Sequence, residues 1–334
     1  MRYVVTGGSG YIGSRLVERL AGDEATERVL ICDVQPPRER LEKVAYERLD
    51  VREHALTHAI LERERPDVLV HLAFVLNPIH DQDAMYEVDV NGTSNVLEAA
   101  EAAAVKHVMV TSSATTYGAF PDNPVPLTEE HPVRGVADFE YARDKAESDR
   151  ICQLWANQNP DATMTIIRPT VVFGPTVDNF ISRLLTKQPF LADLGGDVPD
   201  VQFVHEDDLV EALVGLLNGR HGGAFNVAAD GLMTLQECAG ILGLPVRRVP
   251  RRLYWAFVAL LWRLRLSEAP PGYLHFVVNP WVVSNDKLKE TLGWAPRHSS
   301  RETFEIAMRA RGALSSAVGE TLGGAPAARP LPGR

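Results

Sequence analysis

Thr6-Gly7-Gly8-Ser9-Gly10-Tyr11-Ile12-Gly13 decides how this chain is read. The octapeptide follows the apolar run Tyr3-Val4-Val5 and opens a stretch of helical period, Ile12–Ala21. Its glycines Gly7, Gly10 and Gly13 therefore sit in a strand-to-helix turn. Glycine permits a tight turn and lets the backbone approach a pyrophosphate, which then rests at the positive end of a helix. The same turn can exist without a ligand, and the residue that separates the two readings lies further on. Asp33 ends the next apolar run, twenty residues past Gly13, where a carboxylate can accept hydrogen bonds from an adenosine ribose. Together the two signals point to a dinucleotide. Because a carboxylate repels a 2′-phosphate, NAD is favoured over NADP, with Arg38 and Arg40 read as part of a solvated charged loop.

Outward from this turn, short apolar runs alternate with longer segments of helical period. Strands are expected at Tyr3–Thr6, Val29–Asp33, Val44–Arg48, Val68–His71, His107–Thr111 and Thr165–Arg168. Helices are expected between them at Ile12–Ala21, Ala55–Glu64, Tyr86–Ala103 and Phe139–Asn157. Such alternation implies an α/β fold, a Rossmann-type doubly wound parallel sheet with right-handed crossovers. Past Gly174-Pro175 the alternation loosens, before Val201–Val204 and Phe225–Val227 read as two more strands. The expected organisation is a dinucleotide-binding domain over 1–174, its sheet completed by 201–228, and a smaller, helix-rich C-terminal substrate domain from 175–200 and 229–311. The later helices are expected at Leu235–Leu242, Leu253–Leu264, Asn285–Leu292 and Glu302–Ala310. Residues 312–334, rich in Gly, Ala, Pro and Ser, bury too little apolar area to order themselves and read as a disordered tail.

Composition narrows the partners. With 34 Lys plus Arg against 44 Asp plus Glu, the net charge is −10, which argues against nucleic acid. Cys32, Cys152 and Cys238 are far apart, and no Cys/His cluster has metal-ligand spacing, so no metal and a reducing, cytoplasmic setting are expected. The N-terminus runs straight into a strand, without a signal core. The longest apolar run, Leu253–Leu266, contains Arg263 and Arg265 and is too short for a transmembrane segment. Arg247–Arg265 carries six arginines and no acid, with Trp255 and Trp262 interleaved. It suits a helix lying on an anionic membrane, but the favoured reading is a substrate-domain helix with arginines at its ends.

Chemistry enters at Tyr141 and Lys145, four residues apart and so on one face of the expected helix. A neighbouring ammonium stabilises a phenolate and draws a tyrosine towards working pH, making it a general acid or base. Upstream, Ser112-Ser113-Ala114-Thr115 lies just past a strand end, the edge where doubly wound sheets bind ligands. A hydroxyl there can hold a carbonyl oxygen while the tyrosine protonates it.

Taken together, TGGSGYIG, Asp33, Asp50-Val51-Arg52, His71-Leu72-Ala73-Phe74, VNGTSNVLEAA from Val90, TSSATTYG, Tyr141-x-x-x-Lys145, Arg168-Pro169 and Phe203–Asp208 resemble the extended short-chain dehydrogenase/reductases, the NAD-dependent epimerase/dehydratase family. The resemblance covers about residues 1 to 310. It implies that Gly7, Gly10, Tyr11 and Ile12 line the pyrophosphate, Asp33 the adenosine ribose, and Asp50 and Val51 the adenine. Leu72, Ala73, Phe74 and Pro169 would run beside the rest of the cofactor. Ser113 matches the catalytic serine, Tyr141 the proton donor or acceptor, and Lys145 the residue that binds nicotinamide ribose and tunes Tyr141. A homodimer through the helices at Tyr86–Ala103 and Phe139–Asn157 is also implied.

The resemblance breaks at the substrate. Sugar-nucleotide members usually carry asparagine where this chain has Val171, and an arginine where it has Val201. The acidic pair typical of dehydratases is absent after Ser113, where Ala114-Thr115 follows. With Phe74, Ser113, Thr115, Val171 and Phe180 as substrate-side candidates, the expectation is an NAD(P)-dependent oxidoreductase. It would interconvert a secondary alcohol and a ketone on a fairly apolar small molecule. A redox-neutral nucleotide-sugar epimerase is the alternative, and a non-catalytic dinucleotide-binding regulator the third reading.

Overall fold

The computed structural model describes residues 1–195 and 199–314. Its first half is built from β1 (Arg2–Thr6), α1 (Tyr11–Ala21), β2 (Arg28–Asp33), β3 (Val44–Arg48), α2 (His54–Glu64), β4 (Val68–His71), α3 (Gln82–Tyr86), α4 (Gly92–Ala102), β5 (His107–Thr111), α5 (Glu140–Gln158) and β6 (Thr163–Pro169). Side chains alternate across a strand, and both sheet faces here are apolar because helices cover both. Val5 and Ile31 face a core made with Leu16, Val17 and Leu20 of α1. Val4 and Leu30 face the opposite core, with Leu97 of α4 and Trp155 of α5.

The remaining elements are β7 (Val171–Phe173), α6 (Phe180–Lys187), β8 (Leu191–Asp193), β9 (Phe203–His205), α7 (Glu206–Gly219), β10 (Gly223–Val227), α8 (Leu235–Leu242), β11 (Val246–Arg248), α9 (Arg251–Arg263), α10 (His275–Val278), α11 (Asp286–Leu292) and α12 (Ser300–Ala310). The sheet runs β10-β6-β5-β4-β1-β2-β3, with every neighbouring pair parallel. Strand order reverses between β1 and β4, so the glycine turn after β1 and the Leu72–Phe74 segment after β4 flank the crevice where such sheets bind ligands.

Three sequence expectations need correction. The helix expected over Tyr86–Ala103 forms as a continuous helical segment, but with a π-turn at Glu87–Asn91 that swings Asp89 inward. The strand expected at Val201–Val204 does not return to the main sheet. It forms as β9 and pairs in parallel with β7, and β10 alone completes the main sheet. The region after Gly174, where the alternation loosens and no element is expected before Val201, holds α6 and β8, and α7 follows β9 where no helix is expected. Of the tail expected over 312–334, residues 315–334 lie outside the described residues. No helix among the described residues is long and apolar enough to cross a membrane.

One buried ion pair fixes α5 against the sheet. Arg168 of β6 donates from Nε and Nη2 to the two carboxylate oxygens of Asp149 at 2.9 and 2.8 Å, and from Nη1 to the Tyr117 hydroxyl at 2.8 Å. Tyr117 donates onward to Asn226 of β10, and Ser112 donates to Asp149 at 2.6 Å. Arg168 is 2% exposed and Asp149 1%, so neither charge has water to fall back on. Asp149→Ala should therefore cost roughly 3–5 kcal/mol, whereas replacing both partners by Leu and Met should recover most of it. Urea unfolding measures both variants, and a single-variant loss below about 1 kcal/mol contradicts the assignment.

Candidate active site

The glycine turn is held by backbone contacts that tolerate no side chain. Gly7 has φ +72°, and a Cβ there would stand 2.5 Å from the Ala73 nitrogen. A Cβ on Gly13 would stand 2.2 Å from the Gly7 carbonyl oxygen. The turn thus lies directly on the Leu72-Ala73 backbone. α1 begins at Gly10 with no side-chain cap, leaving its first amides for an anion. Asp33 accepts hydrogen bonds from the Ser9 and Gln35 amides at 3.1 and 3.0 Å, which places its carboxylate beside the turn. This cradle suits a dinucleotide pyrophosphate with a ribose near Asp33.

A cavity of about 630 Å³ runs from the turn across the sheet edge. Gly7, Gly10, Tyr11, Ile12, Leu72, Phe74, Ser113, Thr115, Tyr141, Lys145, Pro169, Val171 and Phe180 all contribute to its wall. The sequence candidates Asp33, Ala73, Asp50 and Val51 do not. Asp50 is bound by Arg52 through contacts of 2.6–3.1 Å, which lowers its pKa. Val51 packs against Gly92, and its carbonyl accepts from Asn95. The Tyr11 hydroxyl donates to the buried Glu206, which Arg15 also pairs. Burial and that carboxylate drive its pKa far up, so Tyr11 serves the wall as a neutral anchor.

Ser113, Tyr141 and Lys145 are brought together by the strand end after β5 and the first turns of α5. The Ser113 oxygen accepts from the Thr115 amide at 3.2 Å and the Thr115 hydroxyl at 2.9 Å. Its own proton is thereby free for Tyr141, with which it hydrogen-bonds. Burial pushes Tyr141 up to about 12, while the Ser113 hydrogen bond pulls the other way.

Lys145 behaves differently from the expectation that its ammonium would lower Tyr141. Its Nζ donates to the Thr111 carbonyl at 2.6 Å and lies 3.4 Å from the centre of the Phe74 ring. Phe74 stands edge-on to Tyr141, with centroids 5.7 Å apart, so an aromatic ring contacts both residues. Burial lowers Lys145, partly offset by the negative charge of Asp89.

Asp89 was not foreseen. The π-turn buries it completely, its Oδ1 accepts from the Val75 amide at 2.7 Å, and its Oδ2 has no partner among the described residues. Burial raises its pKa. An acid within the apolar run Val88–Val90 was the available signal, but a regular helical period would not place it inside. Phe139, Phe276 and Trp281 also line the cavity, and their wide separation in sequence hides that association. His71, read as structural, is held between Thr6 and Thr93 hydroxyls at 2.6 and 3.0 Å, and burial lowers it to about 3.

Residues 3–228 match the NAD dependent epimerase/dehydratase family. An uncharacterized protein of Mycobacterium tuberculosis is 26% identical over 319 residues, covering 92% of this chain and 84% of its own. UDP-glucuronic acid decarboxylase 6 of Arabidopsis thaliana is 27% identical over 333 residues, covering 92% of this chain and 87% of that one. Among solved structures, UDP-glucose 4-epimerase of Thermus thermophilus in complex with NAD superposes with a TM-score of 0.71 at 24% identity, covering 94% of this chain and 100% of that one.

The cradle makes its own prediction. Gly13→Ala should abolish measurable NADH binding in a fluorescence titration, because the added carbon displaces either the turn or α1. Retention of parental affinity would show that the turn is not the binding element.

Proposed function

The chain belongs to the NAD-dependent epimerase/dehydratase family, and within it we propose an NAD-dependent oxidoreductase that interconverts a secondary alcohol and its ketone on an apolar small molecule. The observation that carries this reading is the cavity wall. Val171 and Val201 stand on it where polar anchors would serve a sugar nucleotide, and Phe139, Phe180, Phe276 and Trp281 continue the apolar surface. A second diphosphate, beyond the one the glycine turn suits, is served best by cations, and among the described lining residues the one cation is Lys145. The names of the relatives favour a second reading, a redox-neutral nucleotide-sugar epimerase. That reading would leave a diphosphate facing valines.

The glycine turn and the start of α1 would hold the NAD pyrophosphate, Asp33 the adenosine ribose, and Lys145 the hydroxyls of the second ribose. NAD, when bound, supplies the hydride acceptor or donor. Ser113 holds the substrate oxygen through its one free proton. Tyr141 delivers a proton to that oxygen when the ketone is reduced and removes it when the alcohol is oxidised. The apolar wall excludes water from both groups, and proton transfer of this kind contributes about 10² to 10⁴ in rate.

A Tyr141 raised to about 12 is protonated throughout the neutral range. Ketone reduction, which needs the phenol, should be flat between about pH 6 and 9, whereas alcohol oxidation, which needs the phenolate, should rise by about tenfold per pH unit. A panel of apolar alcohols and ketones with NAD or NADH reads both profiles. Tyr141→Phe should lower turnover by about 10² or more while keeping NADH affinity. Turnover confined to nucleotide sugars, or a fully active Tyr141→Phe, would overturn the proposal.

A further inference from the structure

Most apolar residues of this chain face one of its cores, but α9 does not follow that pattern. Leu253, Phe257, Leu260 and Leu264 recur at intervals of four, three and four, which aligns them in one stripe. With Leu266 they are 53–71% exposed, and within α9 Val258 is the buried residue. Leu76 and Ile79 are exposed on the loop after β4, and His80 of that loop stacks on Trp262 at 3.8 Å, so the loop borders α9.

The charge around this patch opposes that of the whole molecule. Arg247, Arg248, Arg251 and Arg252 stand exposed at one end of α9, and Arg263 and Arg265 at the other, in a chain of net charge −10. Among the described residues none of the six pairs with a carboxylate. The nearest following acid, Glu268, is engaged by Arg183 and Lys187. The patch also adjoins the cavity, since Leu76 and Tyr254 belong to the cavity wall.

We propose that α9, its flanking arginines and the Leu76–Ile79 loop dock this protein on an anionic lipid surface, with the cavity beside the docked face. Exposed leucines and a phenylalanine gain by entering the acyl boundary, and arginine forks bind lipid phosphates two bonds at a time. An acidic protein partner would satisfy the arginines but gives no reason for an exposed apolar stripe. Docking stands independently of the reaction. That it brings an apolar alcohol or ketone to the cavity rests on the function proposed above.

The test is co-sedimentation of the full chain with vesicles of phosphatidylcholine alone and of phosphatidylcholine with phosphatidylglycerol. Binding should be roughly tenfold stronger to the mixed vesicles and should weaken with salt. Leu253→Ser/Phe257→Ser/Leu260→Ser and Arg251→Gln/Arg252→Gln should each lower it by roughly tenfold, with melting temperature, NADH affinity and turnover of soluble substrates unchanged. Three results overturn docking: no sedimentation of the parent at low salt, parental binding by the serine variant, or light scattering showing a dimer that the serine variant loses. Vesicle binding without any alcohol or ketone turnover would leave docking standing and remove the functional reading instead.

Discussion

The Arg168 guanidinium and the Asp149 carboxylate meet where water does not reach, and the placement of the site follows from that meeting. Arg168 comes from β6 and Asp149 from the middle of α5, so two opposite charges that cannot separate cheaply fix the helix on the sheet. Lys145 lies one turn earlier on α5 and Tyr141 a turn before that, so the same register brings both to the end of β5. Ser112, which donates to Asp149, is the neighbour of Ser113, so the serine is set by the same carboxylate. The geometry of the candidate site is thus tied to the need to avoid an unpaired buried charge.

Around this clamp the site is largely apolar and sparing in charge. Tyr141 is kept neutral by burial, while Lys145, against the Phe74 ring, and Asp89, on the Val75 amide, perturb one another. Phe74 touches both Tyr141 and the Lys145 ammonium. Such an environment supports the proposed proton transfer to an apolar substrate. Six exposed arginines lie instead outside the cavity, on α9 and at its two ends.

Much of the fold was legible because its signals are local. Val68–His71 and His107–Thr111 form as read, since a parallel strand covered on both faces is a short run bounded by turns, and the half-buried edge strand Val44–Arg48 forms as read beside them. Leu235–Leu242 was legible from its Thr234 cap and closing Gly243 as well as its period. The glycine turn was legible because a positive φ and a close backbone approach leave no other residue type. What escaped depends on distant partners or irregular backbone. The π-turn at Glu87–Asn91 changes which residue faces inward, and no period of 3.6 announces that. α7 was hidden because Glu206, Asp207 and Asp208 were read as part of a motif, although acids in a first turn also mark a helix start. Phe276 and Trp281 reach the cavity from the far end of the chain, and only the folded structure reveals the wall they share with Val171.

The central claim is that an epimerase-type scaffold here runs an oxidoreductase cycle in which the dinucleotide leaves. The most direct measurement is to denature the freshly purified protein and quantify released dinucleotide by absorbance and mass spectrometry. The account predicts well under one NAD per chain, and an intact protein that binds added NADH reversibly. Near-stoichiometric NAD that resists exchange would contradict it and would mark an enzyme that regenerates its own cofactor on each turnover.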